Sequence, residues 1–265
     1  MYVTNTLNSK KVIITGASSG IGERLAWHVA KQGGVPILLA RRGERLKQMI
    51  EQIEKDTGVA GYADSCDLSD RADIDRAFRA IKETIGDVDA LINNAGFGIF
   101  ESVEMTELDQ YESMFQVNVL GLIQCVKAIL PSFVSRGGHI VNIASQAGKM
   151  STPKASGYAA SKHAVLGFTN ALRLEVKSKG VFVTGVNLGP VRTNFFDQAD
   201  PEGNYQKSVE RFMLDPDTVA QKVVKHLFTP KREINLPSWM EAGSKLYQLM
   251  PGLTEKLMRK QFEKK

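Results

Sequence analysis

Cysteine is nearly missing from this chain. Its 265 residues include two, Cys66 and Cys125, far apart and outside any Cys-x-x-Cys or Cys/His cluster. That excludes a disulfide framework and a structural zinc site, and no bound metal is expected. A reducing compartment fits such usage, so the expected location is the cytoplasm. Long hydrophobic runs are missing too: none reaches the ~18 consecutive apolar residues of a spanning helix. The opening MYVTNTLNSKK has no apolar core followed by a small-residue cleavage site. The four histidines, His28, His139, His163 and His226, are scattered and are given no role. Without a Gly-x-Ser-x-Gly elbow, a Ser-His-Asp hydrolase is disfavoured. Excess charge is small, +5, and lies at the end, where eight Lys/Arg face four Glu from Lys231 onward. The body is nearly neutral and carries no nucleic-acid module, so nucleic acid is not an expected partner.

What remains is an ordinary globular composition, 43% hydrophobic and 24% charged, in a length suited to one domain over residues 1–265. Short apolar, β-branched runs predict strands at 11–15, 35–40, 59–67, 89–94, 139–145, 181–187 and 233–236. Amphipathic stretches between them predict helices at 21–32, 45–56, 73–84 and 158–180, the last closing on Gly180. Repeated strand-helix alternation implies right-handed crossovers and an α/β, doubly wound, mostly parallel sheet of seven strands with helices on both faces. A sheet of that kind holds its ligand at the carboxyl ends of its strands, where strand order reverses.

The run KVIITGASSGIGERLA leaves a strand and opens a helix, the setting in which a glycine-rich turn acquires meaning. Gly16 permits the tight turn, Gly20 lets backbone approach a pyrophosphate and Gly22 lets the helix pack on the strand. At the end of the second strand stand Ala40, Arg41 and Arg42. An acidic residue there would bond a ribose 2′-hydroxyl and repel a 2′-phosphate, whereas arginine attracts the phosphate, which favours NADP(H) over NAD(H). Further on, GYAASKH puts Tyr158 and Lys162 four residues apart, hence on one helix face. A free phenol, pKa about 10, is a poor proton carrier at neutral pH. Lowering it by ~3 pH units takes about 4 kcal/mol, which a partly desolvated ammonium and a cationic nicotinamide together could supply.

With the spacing Gly-x-x-x-Gly-x-Gly, then Asp67 in CDLSD, NNAG at 93–96, Asn118 in QVNVLG, Ser145 and YAASK, the chain resembles the short-chain dehydrogenase/reductase family over roughly residues 10–195. The resemblance implies a Rossmann-like fold and hydride transfer between NADP(H) and a small carbonyl compound or alcohol. It assigns Tyr158 as general acid/base, Ser145 as donor to the carbonyl oxygen, and Lys162 to the nicotinamide ribose and the tyrosine pKa. Asn118 would hold a water leading from Lys162 to solvent, or else bond a neighbouring carbonyl as a helix-interior residue. The same resemblance places Gly16, Ser18, Ser19, Gly20, Ile21, Gly22, Arg41 and Arg42 around the phosphates and Asp67 and Leu68 by the adenine. It puts Asn93, Asn94, Ala95 and Gly96 by the nicotinamide ribose. Gly189, Val191 and Thr193 follow the sixth strand, where Leu188 replaces the proline of many relatives and Pro190 is expected to stiffen the turn.

The apolar residues Phe97, Phe100 and Met150 suggest a pocket for an apolar carbonyl compound. Phe195, Phe196, Tyr205, Phe212 and Met213 either form a lid or pack as an ordinary helix. Over residues 236–265 an amphipathic tail offers Leu253, Leu257, Met258 and Phe262 at helical spacing among Lys256, Arg259, Lys260, Lys264 and Lys265. Such a helix suits an anionic membrane surface, but docking on its own domain or on a second subunit of a dimer or tetramer is the expectation. The competing functional reading is a nucleotide sensor or scaffold without turnover. Retention of Asn118, Ser145, Tyr158 and Lys162 together argues against it.

Overall fold

A computed structural model describes residues 7–262, with side chains through Leu257. Its first half runs β1 (Lys11–Thr15), α1 (Gly20–Lys31), β2 (Val35–Ala40), α2 (Gly43–Thr57), β3 (Tyr62–Ser65), α3 (Arg71–Thr84) and β4 (Ala90–Asn93). There follow α4 (Leu108–Phe115), α5 (Leu122–Arg136), β5 (Gly138–Ile143), α6 (Ser156–Val176) and β6 (Val181–Leu188). The chain then forms α7 (Phe195–Ala199), α8 (Asn204–Val209), α9 (Pro216–Lys225), β7 (Glu233–Leu236), α10 (Ser238–Leu249) and α11 (Pro251–Phe262). All seven strands pair in parallel in the order β3-β2-β1-β4-β5-β6-β7, a doubly wound Rossmann-like sheet. The order reverses between β1 and β4, which opens a crevice at their carboxyl ends.

Alternation along each strand feeds two cores. Val12, Ile14, Leu38, Ile92 and Val141 pack under α1, α2 and α9, while Ile13, Ile37, Leu39, Leu91 and Ile140 pack under α3, α5 and α6. Local chemistry sets several boundaries. Asp70 caps α3 by accepting from the Ala72 and Asp73 amides, and Asp215 caps α9 just before Pro216. Gly180, at φ 67°, follows one tight turn after α6 and ends that segment as predicted.

Two expectations change. The third strand covers 62–65 rather than 59–67, because it is an edge strand pairing only with residues 37–40 of β2. A Cβ on Gly61 would lie 2.8 Å from the Pro36 carbonyl oxygen, so the chain closes on β2 there without joining the ladder. The tail is two helices, α10 and α11, rather than one. Sequence periodicity also left α4 and α5 unbounded. With a π turn over 116–121 they form a continuous 29-residue helix, long and apolar enough in composition to cross a membrane. Its α5 part packs on the sheet through Leu122, Cys125, Val126, Ile129 and Phe133.

Candidate active site

The crevice begins at the glycine turn. Gly16 (φ 64°) and Gly20 (φ 57°) adopt the left-handed backbone that side chains resist. A Cβ on Gly16 would come within 2.7 Å of the Ala95 Cα. On Gly22 it would run into the Gly16 carbonyl oxygen, so Gly22 seats α1 on the turn and stays behind the crevice. Ser19, the N-cap of α1, makes no side-chain cap bond, which leaves the first amides of that helix facing the crevice mouth. Ser18, Ser19, Gly20 and Ile21 line the cavity, as do Arg41, Arg42, Asp67 and Leu68. Arg42 turns toward the glycine turn and bonds the Ser18 hydroxyl at 3.0 Å and its carbonyl at 3.2 Å. Beside them a smaller polar hollow is bordered by Arg24, Arg45 and Arg192, three cations that the spacing of motifs did not reveal.

From β4, Asn94, Ala95 and Gly96 reach the cavity wall. The Asn94 amide donates to the carbonyls of Thr15 (3.0 Å) and Gly16 (3.2 Å), so its side chain braces the turn rather than facing a ligand. Asn93 does not line the crevice as expected. It is buried and donates to Asn142 on β5 at 2.9 Å, because strand alternation points it into the sheet's core. Asn118 is likewise buried, and its side chain is committed: Oδ1 accepts from the Phe97 amide (3.0 Å) and Nδ2 donates to the Phe97 carbonyl (2.9 Å) and Ser161 Oγ (3.1 Å). This is the helix-interior bonding that stood as the alternative for Asn118, and it fixes the segment carrying Phe97.

Ser145, at the carboxyl end of β5, starts a tight turn over 146–148 by accepting from the Ala147 amide at 3.1 Å. Tyr158 lies close enough to that hydroxyl for it to pull the phenol's pKa down. Lys162 lies one helical turn on, buried, with Nζ 2.9 Å from the Ile143 carbonyl and 5.8 Å from the centroid of the Tyr158 ring. Burial pushes the phenol up to about 12, against the pull of Ser145, and pushes the Lys162 ammonium down to about 8. The sequence suggested a lowered tyrosine. In the protein alone desolvation outweighs the pull of Ser145 and the phenol stays high.

Beyond Tyr158 the cavity, about 2150 Å³ in all, turns aromatic. Phe100 meets Tyr158 edge-on at 5.7 Å and Tyr205 at 5.0 Å, and Phe195 lies 5.5 Å from Tyr158. Phe195, Phe196, Tyr205 and Phe212 all line the cavity; Met213 does not. Gly189, Val191 and Thr193 border it as expected. Leu188 ends β6 and accepts from Ser145 Oγ at 3.3 Å, while the Gly189 amide donates to Leu236 and the Pro190 carbonyl accepts from Leu214. These bonds hold the turn that a proline stiffens elsewhere. The wall formed by Trp239, Met240 and Leu246 of α10 was not foreseen, since nothing local in those residues reports a pocket 80 residues away in the chain.

The model of the family described as short chain dehydrogenase matches residues 10–203. The chain belongs to this family. Among curated short-chain dehydrogenase relatives, the farnesol dehydrogenase of Aedes aegypti is 33% identical over 84% of this chain and 91% of its own. The short-chain dehydrogenase of Sphingobium yanoikuyae, solved with NADPH, superposes with a TM-score of 0.79 at 28% identity, covering 94% of this chain and 95% of its own. The 3-ketoacyl-(acyl-carrier-protein) reductase of Brucella melitensis, solved with NADH, superposes at 0.78 with 26% identity, covering 87% and 98%. As a member of this family the chain is an oxidoreductase with a nucleotide-binding crevice.

Proposed function

We propose that this short-chain dehydrogenase is an NADP(H)-dependent carbonyl reductase, or alcohol dehydrogenase in reverse, acting on apolar carbonyl compounds or secondary alcohols. The observation that carries the reading is the meeting of Ser145, Tyr158 and Lys162 on one cavity wall, Lys162 Nζ 5.8 Å from the Tyr158 ring, between the glycine turn and an aromatic pocket. The crevice suits a phosphorylated dinucleotide: free α1 amides meet a pyrophosphate, and Ala40, Arg41 and Arg42 leave room and positive charge for a 2′-phosphate. Bound there, the nicotinamide supplies or accepts the hydride. Ser145 orients the carbonyl oxygen and Tyr158, protonated across the neutral range, donates its proton to that oxygen. Lys162 holds the ribose hydroxyls and stabilises the phenolate left behind. Asn118 acts indirectly, by holding Phe97 in the wall.

Tyr158→Phe is expected to leave NADPH binding near normal while lowering turnover at least a hundredfold, the usual weight of a positioned acid. Unchanged turnover in steady-state assays would refute the role. Arg41→Ala is expected to weaken NADPH about tenfold or more with little change for NADH; equal losses in fluorescence titration would count against the phosphate assignment. Exposed Leu108 and Leu120 on the long α4–α5 helix support the expected homo-oligomer, which sedimentation checks.

A further inference from the structure

The tail was expected to dock its apolar residues on its own domain or on another subunit. In the structure α10 packs on β7 and on α11, Met258 and Phe262 lie outside the residues whose side chains are described, and several apolar residues of the hairpin face outward. Leu249 is 81% exposed and Leu257 71%, and Met250 and Leu253, at the junction of the two helices, are exposed as well. Of the described residues in α11, Thr254 is buried. Exposed Lys245 and Lys256 flank this apolar tip, and the chain from Lys231 onward carries eight cations against four acids. The apolar surface is continuous with the catalytic cavity, because Trp239, Leu246 and Leu257 belong to both.

We propose that the α10–α11 hairpin seats on an anionic lipid surface, and that the cavity takes a lipid-borne alcohol or carbonyl compound through the side it presents there. An apolar helical tip on a basic segment gains by burying its leucines in the acyl boundary and setting its cations among anionic headgroups. Trp239, half exposed at the start of α10, has the amphipathic ring that favours the interface. A protein partner fits less well. Seated on Trp239, Leu246 and Leu257, a second copy would cover residues that line the cavity, whereas a lipid surface supplies apolar molecules to them. The substrate half of the proposal rests on the oxidoreductase reading; the docking half does not.

The test uses the full chain without cofactor, sedimented with vesicles of phosphatidylcholine alone or with 30% phosphatidylglycerol. Binding to the anionic vesicles is expected to be at least tenfold tighter, to fall severalfold between 0.1 and 0.5 M salt, and to shift Trp239 emission to the blue. Leu249→Glu with Leu253→Glu, both exposed and outside the cavity lining, is expected to abolish vesicle binding while circular dichroism, sedimentation coefficient and turnover of a short soluble substrate stay unchanged. Equal binding to both vesicle types, or none, overturns the proposal. So does a double variant that dissociates into smaller species while the parent ignores vesicles, which would assign the tip to a second copy. Vesicle binding with no turnover of any carbonyl compound would leave docking in place and sink the oxidoreductase reading alone.

Discussion

At the scale of single residues, burial sets the proton chemistry. Tyr158 and Lys162 are displaced in opposite senses by the same desolvation, which leaves the phenol protonated and the ammonium able to titrate near pH 8. His139, away from the crevice lining, shows the same physics. Wedged between β5 and β6, it accepts the Phe228 amide at Nδ1 and meets Thr184 Oγ1 at Nε2, and burial pushes it from 6.5 down to about 4. A base depressed in the folded state costs stability as acid loads the unfolded chain. Its contribution is intact above pH 6.5 and is lost as pH falls from 6.5 to 4, about 3 kcal/mol at ~1.4 kcal/mol per pH unit. Urea melts at pH 7 and pH 4.5 are expected to differ by about that amount less in a His139→Gln variant. An equal acid loss in both proteins would assign the sensitivity elsewhere. Spacing made Tyr158 and Lys162 legible as a pair because both sit on one helix face, whereas Ser145 was picked out by the resemblance to the family. Asn93 was misplaced, and the two readings of Asn118 stayed open in the sequence, because only packing decides whether an amide faces a crevice or a neighbouring strand.

At the scale of elements, a polar joint ties the turn after Ser145 to the tail. Lys149, four residues after Ser145, reaches Glu233 of β7 and Glu241 of α10 at 2.6 Å each and Asn235 at 3.1 Å. Burial pulls Glu233 upward, but the Lys149 bond and charge outweigh it and hold the carboxyl below the usual carboxylate range. Beside it, the Met240 sulfur would lie 2.6 Å from a Cβ on Gly189, so α10 closes over the backbone at that point. Lys149→Met leaves two carboxylates facing each other with only the exposed Arg232 and Lys245 still beside them. Destabilisation of about 2 kcal/mol is expected, below the figure for fully buried pairs because the glutamates keep some solvent. Loosening α10 should also raise KM for a bulky substrate more than it lowers kcat. Steady-state kinetics with Lys149→Arg, which restores the charge, separates this from general unfolding. Strands were readable because burial on both faces demands apolar, β-branched runs. This joint was not, since its members lie 84 and 92 residues from Lys149 in the chain and each passes for a surface charge.

For the whole molecule, the sheet order makes the phosphate turn depend on distant chain. β1 pairs with β2 on one side and with β4 on the other, and Asn94 bonds back to Thr15 and Gly16 across nearly eighty residues. A fragment ending at Ile85 has the whole glycine motif yet lacks the strand that braces it. Such a fragment is expected to show no cooperative melt and no nucleotide-induced shift in melting temperature; a measurable shift would mean that the turn organises itself. Doubly wound topology was foreseeable from strand-helix alternation, whereas this mutual dependence follows only from seeing which strands touch.

The adjacency of β1 and β4 also orders events on the ribosome. The glycine motif leaves the exit tunnel long before its brace is synthesised, so it must wait, half-built, for Asn94 to emerge. Grip on the coenzyme then belongs to a late stage of the nascent chain's life, although the motif that confers it is among the first segments translated.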